Sequence, residues 1–316
     1  MAKIIITIPM EEEDKKIIAD ITSLSPNDIS YLKVENLNQE ILENCEIILG
    51  NIPPKFLQKI KNLKWIHLNS AGVNSYIDIL SKDIILTNST GAYDLALAEH
   101  ALALIFALNK KIPNYIKNQQ ECLWQDEGEV QSIFNSKTLI IGLGSIGKEL
   151  GKKLYFLGSH VSGIKKDLNN YPKFIEKIYS LKDLDNILPN FDIIISILPE
   201  TNETINLFNI EKFKKMKKNA IFINIGRGST VSSDDLSFAL KNNFISGAGI
   251  DVTHIEPLPK THQLWQNKNL ILTPHIAGGY HLNSTLDKVK KLAIENLKFY
   301  FLNKPLKNKI NLEKGY

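Results

Sequence analysis

An alternation of element types runs the length of this chain. Short β-branched runs, apolar on both faces, are separated by helical or loop stretches along most of the sequence. Lys3–Ile8, Glu46–Leu49, Trp65–Leu68 and Ile84–Thr87 form a first set of strands. Thr138–Ile141, His160–Ile164, Asp192–Ile197, Ala220–Ile223, Ser246–Ile250 and Leu270–Thr273 form a second. A strand that is apolar on both faces must be covered on both, which is the condition of a parallel sheet between helix layers. Strands alternating with helices imply right-handed crossovers, so the expected fold class is α/β with two doubly wound domains. A long apolar helix, Tyr93–Leu108, leads from the first set into the second, and an amphipathic one, Asn283–Leu302, follows the last strand. The chain should therefore cross between domains twice: residues 1–97 and 283–316 make the smaller one, and 98–282 the larger. The stretch Ile112–Ile133 is polar, carries Trp124 and has no clear period.

Composition narrows the function classes. A length of 316 residues suits two domains of about 150 residues. The 38 Lys and Arg exceed the 34 Asp and Glu only slightly and are scattered, where a nucleic-acid binder would gather them into a patch. Cys45 and Cys122 lie far apart with no Cys or His near either at ligand spacing, so neither a disulfide framework nor a metal site is expected. The N-terminal apolar run is too short for a secretion signal. Leu95–Leu108 is interrupted by Glu99 and His100, well short of the ~18 apolar residues of a membrane span. The expectation is a soluble, cytoplasmic protein that binds neither nucleic acid nor membrane.

The stretch Thr138–Gly147 runs from a strand into a helical pattern with glycines at 142, 144 and 147. In such a turn the first glycine permits the bend, the second lets backbone N–H groups approach a pyrophosphate at the helix N-terminus, and the third lets helix pack on strand. The strand before, the helix after and the second strand Val161–Ile164 supply the context that gives the motif meaning. A Rossmann dinucleotide-binding domain follows, with Gly142, Gly144, Ser145, Ile146 and Gly147 at the cofactor. The acidic residue that would hold a ribose 2′-hydroxyl about 20 residues on is missing. Lys165 and Lys166 stand there instead, which favours a 2′-phosphate and hence NADP(H). NAD(H) is the alternative, with the lysines merely solvated and Asp167 serving the ribose.

Three further segments set polar residues just past strand ends, where ligands bind in open α/β sheets. They are Ile223–Ser229 with Arg227, Gly247–Pro259 with Asp251 and Glu256, and Leu272–Gly279 with His275. The planar fork of Arg227 can grip a carboxylate and polarise the adjacent carbonyl. His275 can act as a general acid, and a carboxylate beside it would orient the ring and favour its protonated form. Each residue alone is also what a surface loop would carry; their order is what gives the reading force.

Taken with Asn69–Asn74, Asn88–Gly91, Ala98-Glu99-His100 and Leu198-Pro199 followed by Thr201 and Thr204, these segments resemble the D-isomer-specific 2-hydroxyacid dehydrogenases over nearly the whole chain. The resemblance implies a Rossmann NAD(P)-binding domain and a smaller flavodoxin-like substrate domain acting as a lid. It implies that Arg227, Glu256 and His275 are the active-site arginine, glutamate and histidine. It implies that Ala71, Gly72 and Val73 hold the substrate carboxylate together with Arg227. Leu198, Pro199, Thr204, Ile225, Gly226, Asp251, Ala277 and Gly278 match positions that contact the cofactor. The segment around Trp124 matches a dimer arm, implying a homodimer through the cofactor domain.

The reaction so implied is hydride transfer between NAD(P)H and a small 2-oxo acid, glyoxylate or hydroxypyruvate, with no metal. The alternatives are an NAD-dependent D-3-phosphoglycerate or D-lactate dehydrogenase, or an NAD(H)-sensing corepressor-like protein. A Glu–His pair where formate dehydrogenases carry Gln–His disfavours formate oxidation. The few residues after the last helix argue against the allosterically controlled phosphoglycerate dehydrogenases. Asn109-Lys110 replace an arginine common in the family, and the sequence offers no reason.

Overall fold

The computed structural model describes residues 3–312. It falls into two compact units, one that runs to Tyr93 and resumes at Tyr280, and one spanning Asp94–Gly279.

The first unit holds a five-stranded parallel sheet: β1 (Ile4–Ile6), β2 (Ile29–Tyr31), β3 (Ile47–Leu49), β4 (Trp65–His67) and β5 (Ile85–Thr87), in the order β2-β1-β3-β4-β5. Its core gathers Ile5, Ile48, Ile66 and Leu86, one from each of the four inner or C-terminal strands, under Leu42, Leu57 and Tyr76. The return helix Asn283–Phe301 packs on Glu12–Thr22, and Tyr300 stacks on Trp65 with ring centroids 5.1 Å apart. The tail comes back to the sheet, where Ile310 N–H donates to Leu86 O at 2.9 Å.

The second unit holds a seven-stranded parallel sheet. Its strands are β6 (Lys137–Ile141), β7 (His160–Ile164), β8 (Lys177–Tyr179), β9 (Ile193–Ser196), β10 (Ile221–Asn224), β11 (Gly247–Ile250) and β12 (Leu270–Leu272). The order is β12-β11-β10-β9-β6-β7-β8, so the direction of winding reverses between β6 and β9. Successive residues of β9 point to opposite faces: Ile194 joins Phe208, Phe213 and Phe222 on one side, while Ile193 and Ile195 join Ala98, Ala101 and Ile105 of the helix Asp94–Asn109 on the other. Both faces are dry, which is why the inner strands read as continuous apolar runs.

The α/β fold with two parallel sheets agrees with the sequence reading. Two strands escaped it, β2 and β8, and both are sheet edges. Their sequences, Ile-Ser-Tyr and Lys-Ile-Tyr, are only half-buried and carry no apolar run. Part of the segment read as aperiodic is a helix, Ile112–Gln120, opened by Pro113 in its first turn. No helix among the described residues is long and apolar enough to cross a membrane, and no cluster of metal-binding side chains occurs among them.

Candidate active site

In an open sheet, ligands meet the carboxyl ends of the strands where the winding reverses. Here that point lies between the loops after β6 and β9, residues Gly142–Gly144 and Ile197–Pro199. Gly142 has φ of +103°, and a Cβ on it would lie 2.5 Å from Ile197 O. A Cβ on Gly147 would lie 2.5 Å from Gly142 O, so the helix can sit this close to the strand only without one. Gly144 is different: a Cβ there would meet nothing within 4 Å. Nothing in the protein itself requires that residue to be small, and its exposed position at the helix start leaves room for a ligand backbone. The helix Ser145–Phe156 begins with Gly144 as N-cap and no side chain capping it, so its first N–H groups, from Ser145 onward, remain available to an anion. These features fit a dinucleotide pyrophosphate.

The neighbouring loops close on the same point. A Cβ on Gly226 would lie 2.8 Å from both Leu198 N and Leu198 O. Thr204 Oγ1 donates to Pro199 O at 2.7 Å and accepts the Thr201 N–H at 2.8 Å, bracing the Leu198-Pro199 turn. Ile225 is buried beside it. Past β7, Lys165 Nζ donates to Asn170 O at 3.0 Å and lies 4.0 Å from Asp167 Oδ2, while Lys166 Nζ lies 4.0 Å from Glu203 Oε2.

Arg227 follows β10. Asn224 folds the turn that carries it, donating from Nδ2 to Arg227 O at 3.0 Å and accepting the Gly226 N–H at 3.2 Å. The guanidinium donates to Gly226 O at 2.9 Å, and its other donors meet no carboxylate among the described residues. Gly228 presses this turn onto the next loop: a Cβ on it would lie 1.9 Å from Thr253 O. That loop leads to Glu256. Thr253 N–H donates to Glu256 Oε1 at 3.0 Å, and Glu256 Oε2 stands 2.8 Å from His275 Nδ1. With Nδ1 facing a carboxylate, the proton on that nitrogen is held, and Nε2 is the nitrogen left for exchange with a ligand.

His275 itself sits at φ of +53°, a conformation that needs support. Asp251, only 2 % exposed, provides it. Its Oδ1 accepts from Thr273 Oγ1 at 2.6 Å and from Ile276 N–H at 3.0 Å, and its Oδ2 accepts from Ala277 N–H at 3.0 Å. The His275 N–H donates to Asp251 O at 2.8 Å. His100 Nε2 lies 3.0 Å from Thr273 Oγ1 behind this arrangement. Asp251 thus holds Ala277 by its N–H, next to Gly278. The resemblance assigns Asp251, Ala277 and Gly278 to the cofactor, while the turn they build carries no local sequence signal.

In the first unit the loop after β4 has an unusual polarity. Its carbonyls are all taken: Asn69 O by Tyr93 Oη, Ser70 O by Ser89 N–H at 3.1 Å, Ala71 O by Asn88 Nδ2 at 2.7 Å, and Gly72 O by Ser70 Oγ at 2.8 Å. Val73 O accepts from Tyr76 N–H at 2.9 Å. No acceptor for the N–H groups of Ala71, Gly72 or Val73 is found among the described residues. Backbone donors without a protein partner, in a loop whose carbonyls are all engaged, are the kind of group that can receive an anion. The groups that engage the loop from outside, the Asn88 and Tyr93 side chains and the Ser89 N–H, leave no local pattern in the sequence, because each pairs residues 17 or more apart.

Comparison with known proteins identifies the family. Residues 102–277 match the family model of the D-isomer specific 2-hydroxyacid dehydrogenase NAD binding domain. A glyoxylate reductase of Thermofilum pendens is 31% identical over 277 residues, covering 82% of this chain and 80% of that protein. The glyoxylate/hydroxypyruvate reductase B of Escherichia fergusonii is 29% identical over 295 residues, 90% of this chain and 88% of its own. Among solved structures, an NADPH-dependent glyoxylate/hydroxypyruvate reductase from Sinorhizobium meliloti, in complex with NADP and sulfate, superposes with a TM-score of 0.83 over all of both chains at 19% identity. The chain belongs to the D-isomer-specific 2-hydroxyacid dehydrogenase family. It is an NAD(P)-dependent oxidoreductase of that family.

Proposed function

We propose that this protein reduces small 2-oxo acids of the glyoxylate or hydroxypyruvate kind to D-2-hydroxy acids, with NADP(H) as its preferred cofactor. The observation that carries the reading is the 2.8 Å contact between Glu256 Oε2 and His275 Nδ1, on a loop packed against the turn of Arg227. The names of the relatives from Thermofilum and Escherichia point to the same substrates.

In this reading Arg227 takes the substrate carboxylate in its bidentate fork and polarises the neighbouring carbonyl. The backbone donors of Ala71, Gly72 and Val73 serve the same carboxylate. His275 delivers the proton from Nε2 to the carbonyl oxygen as it gains charge, and Glu256 keeps the ring in the orientation and tautomer this requires. A nicotinamide bound here would supply the hydride for the carbonyl carbon. Gly142, Gly144, Ser145, Ile146 and Gly147 would hold its pyrophosphate, and Leu198, Pro199, Thr204, Ile225, Gly226, Asp251, Ala277 and Gly278 would form the rest of its site. Lys165 and Lys166 receive the 2′-phosphate. NAD(H) is the alternative cofactor, favoured by Asp167 and Glu203, each 4.0 Å from one of those lysines.

The unit that runs to Tyr93 and resumes at Tyr280 then forms the substrate domain, and Asp94–Gly279 the cofactor domain. A homodimer through the latter is supported by its exposed apolar side chains, Trp124, Phe134 and Phe156 among them. The unpaired Cys45 and Cys122 suit the reducing cytoplasm. Rates with a panel of 2-oxo acids, each with NADPH and NADH, test the proposal. Turnover of glyoxylate or hydroxypyruvate with NADPH supports it; no turnover of any 2-oxo acid with either cofactor overturns it.

A further inference from the structure

The chain leaves its first unit at Tyr93 and re-enters it at Tyr280. Both residues reach the same partner, Asn69, which begins the donor loop. Tyr93 Oη donates to Asn69 O, and Asn69 Nδ2 donates to Tyr280 Oη at 2.5 Å. A third contact, Asn51 N–H donating to Asn69 Oδ1 at 2.6 Å, fixes the amide with its nitrogen on Tyr280. Burial foremost, and Tyr280 beside it, push the Tyr93 phenol far above its usual range, so it stays a donor at every working pH. Asn69 is thus held through its carbonyl and both ends of its side chain, two residues before the stretch whose N–H groups meet no acceptor among the described residues.

We infer that Tyr280 and Tyr93 are positioning residues for the substrate carboxylate, acting through Asn69 on the loop Ala71–Val73. This rests on the proposed role of that loop. Backbone N–H groups bind an anion well only when their directions are fixed beforehand, because otherwise binding must order them. Asn51 and Asn88 hold the loop from just past the ends of β3 and β5, whereas the two tyrosines tie it to both points where the chain crosses. Tyr280 also lies five residues after His275 in the chain, so one short segment carries the proton donor and the tether of the carboxylate loop.

The test is a set of variants measured by steady-state kinetics with glyoxylate and NADPH, together with thermal unfolding. Tyr280→Phe keeps the ring and removes the hydroxyl. It should raise KM for glyoxylate about 3- to 10-fold, the size of one neutral hydrogen bond, with KM for NADPH and Tm little changed. Tyr93→Phe should act in the same direction. In an Asn69→Ala background, Tyr280→Phe should add nothing, since both act through one contact. Gly72→Pro removes a donor from the loop itself and separates the two ideas. If Gly72→Pro raises KM for glyoxylate while neither tyrosine variant does, the loop binds substrate and the positioning role is wrong. If Gly72→Pro leaves KM unchanged, the loop is not the carboxylate site and the inference falls with it. Equal effects of Tyr280→Phe with and without Asn69 would also overturn it.

Discussion

Glu256 Oε2 lies 2.8 Å from His275 Nδ1, while the other oxygen of the same carboxylate accepts the Thr253 N–H at 3.0 Å. The glutamate is therefore anchored independently of the histidine and fixes the imidazole rather than following it. Glu256→Gln retains an acceptor for one of these contacts and should lose less activity than Glu256→Ala. Both losses should fall short of the about 10²–10⁴-fold that accompanies removal of a general acid. Measured kcat values for the two variants, with the cofactor saturating, check the order.

The two glycines at 144 and 228 should separate ligand binding from folding. A Cβ at Gly144 meets open space, so Gly144→Ala should leave Tm unchanged while weakening cofactor binding by about tenfold, or ~1.4 kcal/mol. A Cβ at Gly228 would lie 1.9 Å from Thr253 O, so Gly228→Ala should destabilise the fold by roughly 3 kcal/mol or more. Cofactor titration followed by fluorescence, and thermal unfolding of both variants, read the two effects apart.

Cofactor choice turns on the loop after β7. Lys165→Asp replaces a phosphate-compatible cation by a carboxylate and should invert or erase the preference for NADPH over NADH. One charge-assisted contact corresponds to roughly 1.5–3 kcal/mol. The ratio of kcat/KM for the two cofactors is the readout. Equal use of both by the unaltered protein would show that these lysines do not select.

His67 gives the fold an acid limit. Trp65 Nε1–H donates to Thr87 Oγ1, which stands 2.8 Å from His67 Nδ1, and His67 Nε2 lies 3.3 Å from Ser89 Oγ. The imidazole is fully buried, and that burial pushes its pKa down from 6.5 to about 4. The unfolded chain therefore binds a proton that the folded chain refuses between these values. Stability is complete above about 6.5 and is lost as pH falls towards 4, by on the order of 3 kcal/mol. Tm followed from pH 7.5 to 4 should show this decline, and His67→Gln, less stable at neutral pH, should show a shallower one.

The sequence made the inner strands legible because a parallel sheet buries both faces of each, as β9 does with Ile193–Ile195. The edge strands β2 and β8 were not, since half-exposed strands of three residues carry no such run. At the site, Gly142, Arg227, Glu256 and His275 could be named because each stands just past a strand end in a local motif. What supports them could not. Asp251 holds Ile276 and Ala277 across 25 and 26 residues, and Asn69 meets Tyr280 across 211. Contacts of that separation are set by how strands and loops come together in three dimensions, and no spacing along the chain records them.

The most direct test of the proposed chemistry is His275→Ala, assayed for glyoxylate and hydroxypyruvate reduction with NADPH alongside a cofactor-binding titration. If His275 Nε2 gives the proton to the carbonyl oxygen, kcat should fall about 10²–10⁴-fold while the affinity for NADPH stays within error of the unaltered protein. A variant that keeps near-normal kcat would contradict the assignment of His275 as the proton donor.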